Sequence, residues 1–413
     1  MAENRLVVTD LDFDTIKTNL KTYLKQQSEF QDYDFEGSGL NILLDILAYN
    51  THYNAYYLNM VANEAFLDTA LLRDSVVSHA KSFGYVPYSK RAPVATIKFV
   101  ANSASSTSST LTLPSGYSFL SNQIDGKAYN FVVTDEVTVT KANSQFTFEN
   151  LNIYEGQLVT YVFNHTENSN PKQIFTLPDT NIDTTTIKVA VSPSSSNTQT
   201  TTYTKVTDVL DVTANSAVYF LQEAREGDYQ IYSGNDIVGK KLADGSVVSV
   251  TYLITNGDVA NKANNFVARS TVSDSLSESI SNFIITPISG AAGGADRETV
   301  DEIKFGAPLQ YATQNRLVTK NDYESYIKSK YPSIDSLSVW GGEDETPKVF
   351  GKVYLALKPK SNYYLSETEK QRIISEIINP KAIVSVQAEI RDPQYLYLLV
   401  DNVVQYDPKK VSV

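Results

Sequence analysis

From Leu40 to Phe83 the sequence contains neither glycine nor proline, and this unbroken stretch constrains the chain more than any other feature. A run of that length without a helix breaker reads as helix. Leu40, Leu43, Leu44 and Leu47 fall at i, i+3, i+4 and i+7, the spacing of one buried stripe. Leu58, Val61, Ala62 and Ala65 make a second stripe, and Leu72, Val76 and Ala80 a third. The three do not merge into one face, so the spacing predicts two or three helices rather than a single rod. Gly84 supplies a C′ stop, with Pro87 just beyond it. Upstream, Phe13, Ile16, Leu20 and Leu24 predict a further amphipathic helix, entered through Thr9–Asp12.

After residue 91 the periodicity changes from helical to alternating. TIKFV, TLTLP, NFVVT, VTVT, QFTFEN, TIKVAV, AVYFLQ, VVSVTYLIT and FIITPI are short β-branched or aromatic runs. Ser/Asn/Gly/Pro clusters such as NSASSTSS and SPSSSNTQ separate them as loops. No helical pattern intervenes, so antiparallel sheets are expected through about residue 290. Beyond it, Thr319 with Asp322 and Ser366 with Glu369 read as capping boxes opening helices near 320–330 and 366–378. Strands are expected near 334–340, 352–358, 383–390 and 395–406, giving the rhythm of a split βαβ layer. The expected class is multidomain α+β: a helical head (1–90), a β-rich arm of two modules (91–290) and a C-terminal split-βαβ-like α+β domain (291–413).

Charge narrows the function. The formal net charge is −12. Basic and acidic side chains number 7 and 12 in residues 1–90, 12 and 18 in 91–290, and 16 and 17 in 291–413. No segment is net basic, which argues against nucleic-acid binding. No apolar run reaches the roughly 18 residues of a membrane span, and the polar, acidic N-terminus does not read as a signal peptide. Cysteine is absent, which removes disulfides, thiolate metal sites and cysteine nucleophiles together. The 27 tyrosines against 17 phenylalanines and one tryptophan suit strands and contact surfaces, where a ring can be apolar on its body and wet at its tip.

Candidate chemical sites are weak. Asp10, Asp12 and Asp14 alternate like a calcium loop but have Thr15 and Lys21 where glycine and glutamate are needed; Asp32, Asp34, Glu36 and Gly37 come closer and fail at Leu43. His52, His79 and His165 lack metal-ligand spacing. Gly290, Gly293 and Gly294 lack the Lys-Ser/Thr of a phosphate loop and read as a flexible connector. Glu343, Asp344 and Glu345 read as a solvated turn, with carboxylate-dependent hydrolysis as the rival. No cofactor, metal or catalytic residue is assigned. The apolar stripes remain, richer than a short helical segment needs for itself. Either they pack on one another and on the β region, or one is left for partner helices.

Several segments together resemble a known family. Residues 32–93, from DYDFEGSGLNILLDILAYN through PYSKRAP, are similar to the N-terminal part of the baseplate wedge protein of T-even-type contractile-tailed phages. FTLPDTNID (175–183), the run from VYFLQEAREGDYQIYSG to TNGDVAN (218–261), and GGADRETVDEIKFGAP (293–308) fit the same family in order. TQNRLVTKNDYESYI (313–327) also resembles the wider baseplate-J-like group.

The resemblance implies a non-enzymatic structural subunit of the virion's tail baseplate, assembled in the bacterial cytoplasm. It further implies a second copy of the chain and an elongated wedge partner, joined through a three-chain helical bundle, with other wedge and sheath-proximal proteins around them. Leu40, Leu43, Leu44, Leu47, Tyr49 and Tyr57 lie in the matched segment and carry the bundle expectation. Such a subunit passes conformational change toward sheath contraction. The sequence stops short of the family's C-terminal part, so a longer parent chain is expected. A receptor-binding, adhesin-like tail protein is the alternative function.

Overall fold

The computed structural model describes residues 12–27, 37–102, 107–197, 199–206, 212–224, 227–314, 316–360, 362–399 and 401. The chain divides into two compact units, Met1–Ser333 and Ile334–Val413. The class is the expected multidomain α+β, with N-terminal helices, central antiparallel sheets and a C-terminal α+β part.

The head opens with α1 (Phe13–Lys25), whose N-cap Asp12 accepts from the Thr15 amide at 3.0 Å. Asp12 therefore caps a helix; Asp10, Asp32, Asp34 and Glu36 lie outside the described residues. Helix α2 (Gly39–Glu64) starts at Ser38, which accepts from the Asn41 amide at 3.1 Å. Helix α3 (Arg73–Ser82) stops where Gly84 takes φ +70°. The glycine-free run thus becomes two helices. Leu72 gives α3 no side-chain cap; Glu64 substitutes, accepting from the Leu71 and Leu72 amides at 2.9 and 3.3 Å. Val76, Val77 and Ala80 of α3 pack with Tyr85 and with Ile303 and Ala307 of α4 (Val300–Thr313). Helix α5 is Lys320–Lys330.

The β region is two large sheets, one inserted within the other, with a short two-stranded pair beside them in sequence. The first begins with β1 (Val94–Asn102), β2 (Thr110–Leu113), β3 (Ser118–Ile124), β4 (Lys127–Val132), β5 (Val137–Ala142) and β6 (Gln145–Glu155). The chain then leaves to build β7 (Gln157–Asn164), β8 (Ile174–Thr176), β9 (Ile182–Ser192), β10 (Thr201–Lys205), β11 (Val218–Glu223), β12 (Tyr229–Ser233) and β13 (Val247–Ile254). It returns for β14 (Phe266–Ala268), the short pair β15 (Val272–Ser273) and β16 (Ser279–Ile280), and β17 (Phe283–Ala292).

Strand order is β14-β3-β4-β6-β1-β17 in the first sheet, with β5 joining β6 to β2, and β7-β13-β9-β10-β11-β12-β8 in the second. All these pairings are antiparallel except β10 with β11. The first core is phenylalanine-rich, around Phe99, Phe119, Phe131, Phe146 and Phe148. The second buries tyrosines and gives two of their hydroxyls acceptors: Tyr252 donates to Asp179 at 2.6 Å and Tyr219 to the Ile187 carbonyl at 3.2 Å.

Where a flexible glycine connector is expected, the structure has a tied one. Gly290 lies within β17, and the Gly294 amide and carbonyl are both bonded by the Asn261 side chain at 3.0 Å. A Cβ on Gly294 would stand 2.5 Å from Pro93 Cγ and 2.7 Å from the Gly257 carbonyl oxygen. Glycine serves close approach there, not flexibility.

In the second unit, β18 (Ile334–Gly341) pairs antiparallel with β19 (Lys352–Pro359), which pairs parallel with β20 (Gln387–Arg391). Helix α6 (Glu367–Arg372) and a π-turn over Ile373–Ile378 make the crossover that a parallel pair requires. Both predicted capping boxes are present, at Thr319–Asp322 and Ser366–Glu369. Residues 395–399 form no strand, and most of the expected strand beyond them lies outside the described residues.

Candidate protein–protein interface

Helix α2 runs 26 residues, about 39 Å at 1.5 Å per residue. Its buried residues are Asn41, Leu44, Ala48, Ala55 and Asn59. At 100° per residue these occupy an arc of roughly 60°. Helix α1 packs against α2, with an ion pair between Lys17 and Asp45. Elsewhere α2 is exposed and largely apolar, interrupted by Asn50 and Asn54: Ile42, Leu43, Ile46, Leu47, Leu58, Met60 and Val61 are exposed, as are Tyr49, Tyr53, Tyr56 and Tyr57. These span roughly 200° of the helix circumference. A helix that is apolar nearly all round is ordinarily buried.

The structure splits the predicted stripe. Leu44 is 4% exposed, whereas Leu43 and Leu47 are 55% and 52% exposed, and Leu40 is intermediate. The stripe is not buried as one, because the described residues cover only the Leu44–Ala48 side. Leu58 and Val61, expected as a second stripe, belong to the same helix and are also exposed. Tyr49 and Tyr57, each 56% exposed, flank Tyr53 one turn away on either side. The Tyr49 hydroxyl donates to that of Tyr53 at 2.9 Å, their rings meet edge-on at 4.6 Å, and the Tyr53–Tyr57 centroids are 6.3 Å apart. The ladder is an amphipathic surface suited to contact.

The weak chemical candidates are not brought together. His52 sits beside Tyr53, His79 Nε2 lies 2.8 Å from the Glu64 carbonyl, and His165 is buried in the second sheet near Gln173. Among the described residues no group of three His, Asp or Glu is placed to hold a metal. Glu345 accepts from Trp340 Nε1 at 2.7 Å and from Arg391 Nη1 at 3.0 Å. The Trp340 bond, assisted by Arg391, lowers its pKa against a smaller burial effect. An acid so tied braces the β18–β19 hairpin.

One cluster escapes sequence reasoning. Arg73, first residue of α3, makes a two-pronged pair with Glu223 at 2.6 and 3.0 Å and donates to the Glu298 carbonyl. Glu298 in turn accepts from the Tyr85 hydroxyl at 2.5 Å and the Tyr88 amide at 3.1 Å. Burial opposes the Arg73 charge, but the Glu223 contacts outweigh it and raise its pKa. Burial pushes Glu298 up to about 7, against the pull of its two donors and of Arg73 and with a push from Glu302. The available signal was a cation at a helix N-terminus, where the dipole disfavours it.

Two family models match the chain. Residues 12–85 match "Baseplate wedge protein gp6-like, helical domain", which contains α1, α2 and α3, and residues 319–391 match "Baseplate structural protein gp6, C-terminal domain I". The baseplate wedge protein gp6 of Enterobacteria phage T4 is 30% identical over 427 aligned positions, covering 97% of this chain. The chain is similar to baseplate wedge proteins. It spans about 61% of that relative's length. A chain from the cryo-EM structure of the anti-feeding prophage baseplate is 14% identical, with 92% of this chain and 71% of that one covered and a TM-score of 0.30, too low to bear on the fold. No helix among the described residues is long and apolar enough to cross a membrane.

Proposed function

We propose that the chain is a structural, non-catalytic subunit of a phage tail baseplate wedge, and that α2 is where it joins its neighbours. The observation that carries this is the bare apolar face of α2, inside the segment that matches the wedge helical domain. Its width bears on the number of partners. A helix packing against another covers a stripe of about 100°, so an open arc of roughly 200° takes two further helices. That supports a three-chain bundle of two copies of this chain and one elongated wedge partner. Half-exposed Leu43, Leu47 and their neighbours each offer about 1 kcal/mol on completing their burial. Division into head, β arm and α+β domain lets the arms move as bodies about this junction during attachment and sheath contraction.

Co-expression with the wedge partner tests the reading. Light scattering is expected to give a complex of two copies with one partner, and Leu43→Glu with Leu47→Glu to abolish it. A monodisperse monomer in the presence of the partner overturns it.

A second reading rests on the outer face of the second sheet. Phe220 and Tyr232 stack at 5.0 Å and line a groove of about 620 Å³ with Asn235 and Lys241, a surface suited to a glycan on an adhesin-like arm. Glycan-array binding by the full chain that is lost in Tyr232→Ala supports it; an empty array removes it.

A further inference from the structure

The second sheet ends on one side at β7, which pairs only with β13. In an antiparallel pair, successive residues turn their backbone groups alternately toward the partner and away from it. The His165 amide, one residue beyond β7, donates to the Ser246 carbonyl at 2.8 Å, so the odd-numbered residues of β7 bond to β13. The far side of β13 agrees. There the Thr255 amide donates to the Asn181 carbonyl at 3.0 Å, which turns odd-numbered residues of β13 toward β9 and even-numbered ones toward β7. The register sets Val159, Tyr161 and Phe163 against those even-numbered residues. Thr160, Val162 and Asn164 therefore present amide and carbonyl to the open side. Nearer the base that side is closed: the Gly156 amide bonds the Asn130 carbonyl and its carbonyl the Asn130 side chain, each at 2.8 Å, and Leu158 packs against Ala92, Val132 and Leu253. Thr160, Val162 and Asn164 are exposed, and nothing among the described residues bonds their outward groups.

An open row of backbone donors and acceptors is a template for a further strand, and folded proteins blunt it with charge, proline, bulges or brevity. The other edges among the described residues are blunted in these ways. Strand β17 carries Pro287, β20 carries Glu389 and Arg391, and β18 carries Asp335 at a shift in its register. Strands β2, β8 and β14 are only three or four residues long. Strand β7, QLVTYVFN, runs eight residues in unbroken register with no charge, proline or glycine, and β13 beside it carries no charge either.

We propose that β7 is the edge on which a second copy of this chain pairs, antiparallel, with the two-fold axis at Val162. Two features point to a copy. The formal net charge of −12 repels copies from one another, and β7 with β13 forms an uncharged strip where that repulsion is least. The open residues are also symmetric about Val162. A two-fold there sets Val162 against its own copy and Thr160 against Asn164, so every open amide and carbonyl finds a partner. The same register puts Tyr161 opposite Phe163, an aromatic cross-strand pair that stabilises a sheet. The contact is small beside the about 1,600 Å² of a standard interface. Pairing of free chains is therefore weak, with a dissociation constant on the order of 100 µM, and strengthens where an assembly holds two copies side by side. It does not involve α2 and stands whether or not α2 enters a bundle.

Because the chain has no cysteine, introduced thiols report the register. The full chain carrying Leu43→Glu and Leu47→Glu serves as background, which takes the α2 face out of the measurement. Opposed residues of a hydrogen-bonded pair have Cα atoms about 5.5 Å apart, inside the disulfide range of about 4.4–6.8 Å. Val162→Cys is therefore expected to oxidise to a disulfide-linked dimer. Thr160→Cys, about 14 Å from its own copy at roughly 3.4 Å per residue, is expected to stay monomeric alone and to cross-link when mixed with Asn164→Cys. Sedimentation equilibrium of the cysteine-free background is expected to show monomer and dimer, and Val162→Lys to remove the dimer without lowering the thermal midpoint. Equal disulfide yields from the three single-cysteine variants overturn the proposal, as does a background chain that stays monomeric at several times the expected dissociation constant. In the complex co-expressed with the wedge partner and without the α2 substitutions, a photocrosslinker attached at Val162→Cys that captures a different protein in place of a second copy overturns it too.

Discussion

Glu298 gives the sharpest test of the electrostatics at the head. Its side chain is almost wholly buried, and burial lifts its carboxyl from 4.5 to about 7 in the folded chain. Tyr85, the Tyr88 amide and Arg73 pull the other way, and Glu302 adds to the rise. A raised pKa means that the folded state holds the proton more tightly than the unfolded one. The associated stability is fully present below pH 4.5, declines as pH rises through the window, and is gone above about 7. Raising the carboxyl from 4.5 to about 7 is worth about 3 kcal/mol at 1.36 kcal/mol per pH unit.

Glu298→Gln cannot ionise and keeps an oxygen to accept from Tyr85 or Tyr88. Between pH 4.5 and 8, wild type is expected to lose about 3 kcal/mol more stability than the variant. Urea titrations at several pH values, read by hydrogen exchange in α3 and α4, measure the difference directly. Other titrating groups contribute to both proteins and cancel. Parallel pH profiles for the two proteins would refute the argument, because they would mean that the carboxyl pays no cost of burial on ionising.

The remaining predictions are local. Leu43→Glu and Leu47→Glu, at half-exposed positions, are expected to change the isolated chain's stability by less than about 0.5 kcal/mol each in urea titration, even as they remove complex formation. Gly294→Ala drives a methyl group into Pro93 and the Gly257 carbonyl and is expected to cost about 1–3 kcal/mol, read as a lowered thermal midpoint. The single tryptophan reports on Glu345. Because that carboxyl's pKa is depressed, its bond from Trp340 persists at neutral pH and is lost as pH falls through a folded value below 4.5. Trp340 fluorescence should show that acid transition and Glu345→Gln should lack it; a midpoint at or above 4.5 contradicts the assignment.

What was legible in the sequence was local. Thr319–Asp322 and Ser366–Glu369 close hydrogen bonds over three residues, and both boxes form as expected; Thr299–Glu302, which opens α4, is a further box of the same pattern. The alternating run VVSVTYLIT became β13 because period-two burial is written into the strand itself, while TIKFV became β1, a strand buried on both faces. Their partners were not legible. Val94 pairs with Ala292, and nothing in either run specifies so distant a register. Helix α2 is legible as helix, but which of its faces the chain itself covers is not, because apolar residues on many sides give the pattern no preferred direction. Arg73 and Glu223 stand 150 residues apart, and only the fold brings them together.

The nested order of the two sheets has a consequence for how such chains change over generations. Strands β6, β14 and β17 belong to the first sheet, on either side of residues 157–254 in the chain, and pack around its own phenylalanine core. Because the intervening segment leaves and re-enters at adjacent points, it can be lost, lengthened or exchanged for an unrelated sheet at two neighbouring junctions, with Glu155 and Thr255 as the natural splice sites. Variation in arm length and surface among such proteins is therefore expected to concentrate in this cassette, while the strands on either side of it keep their spacing.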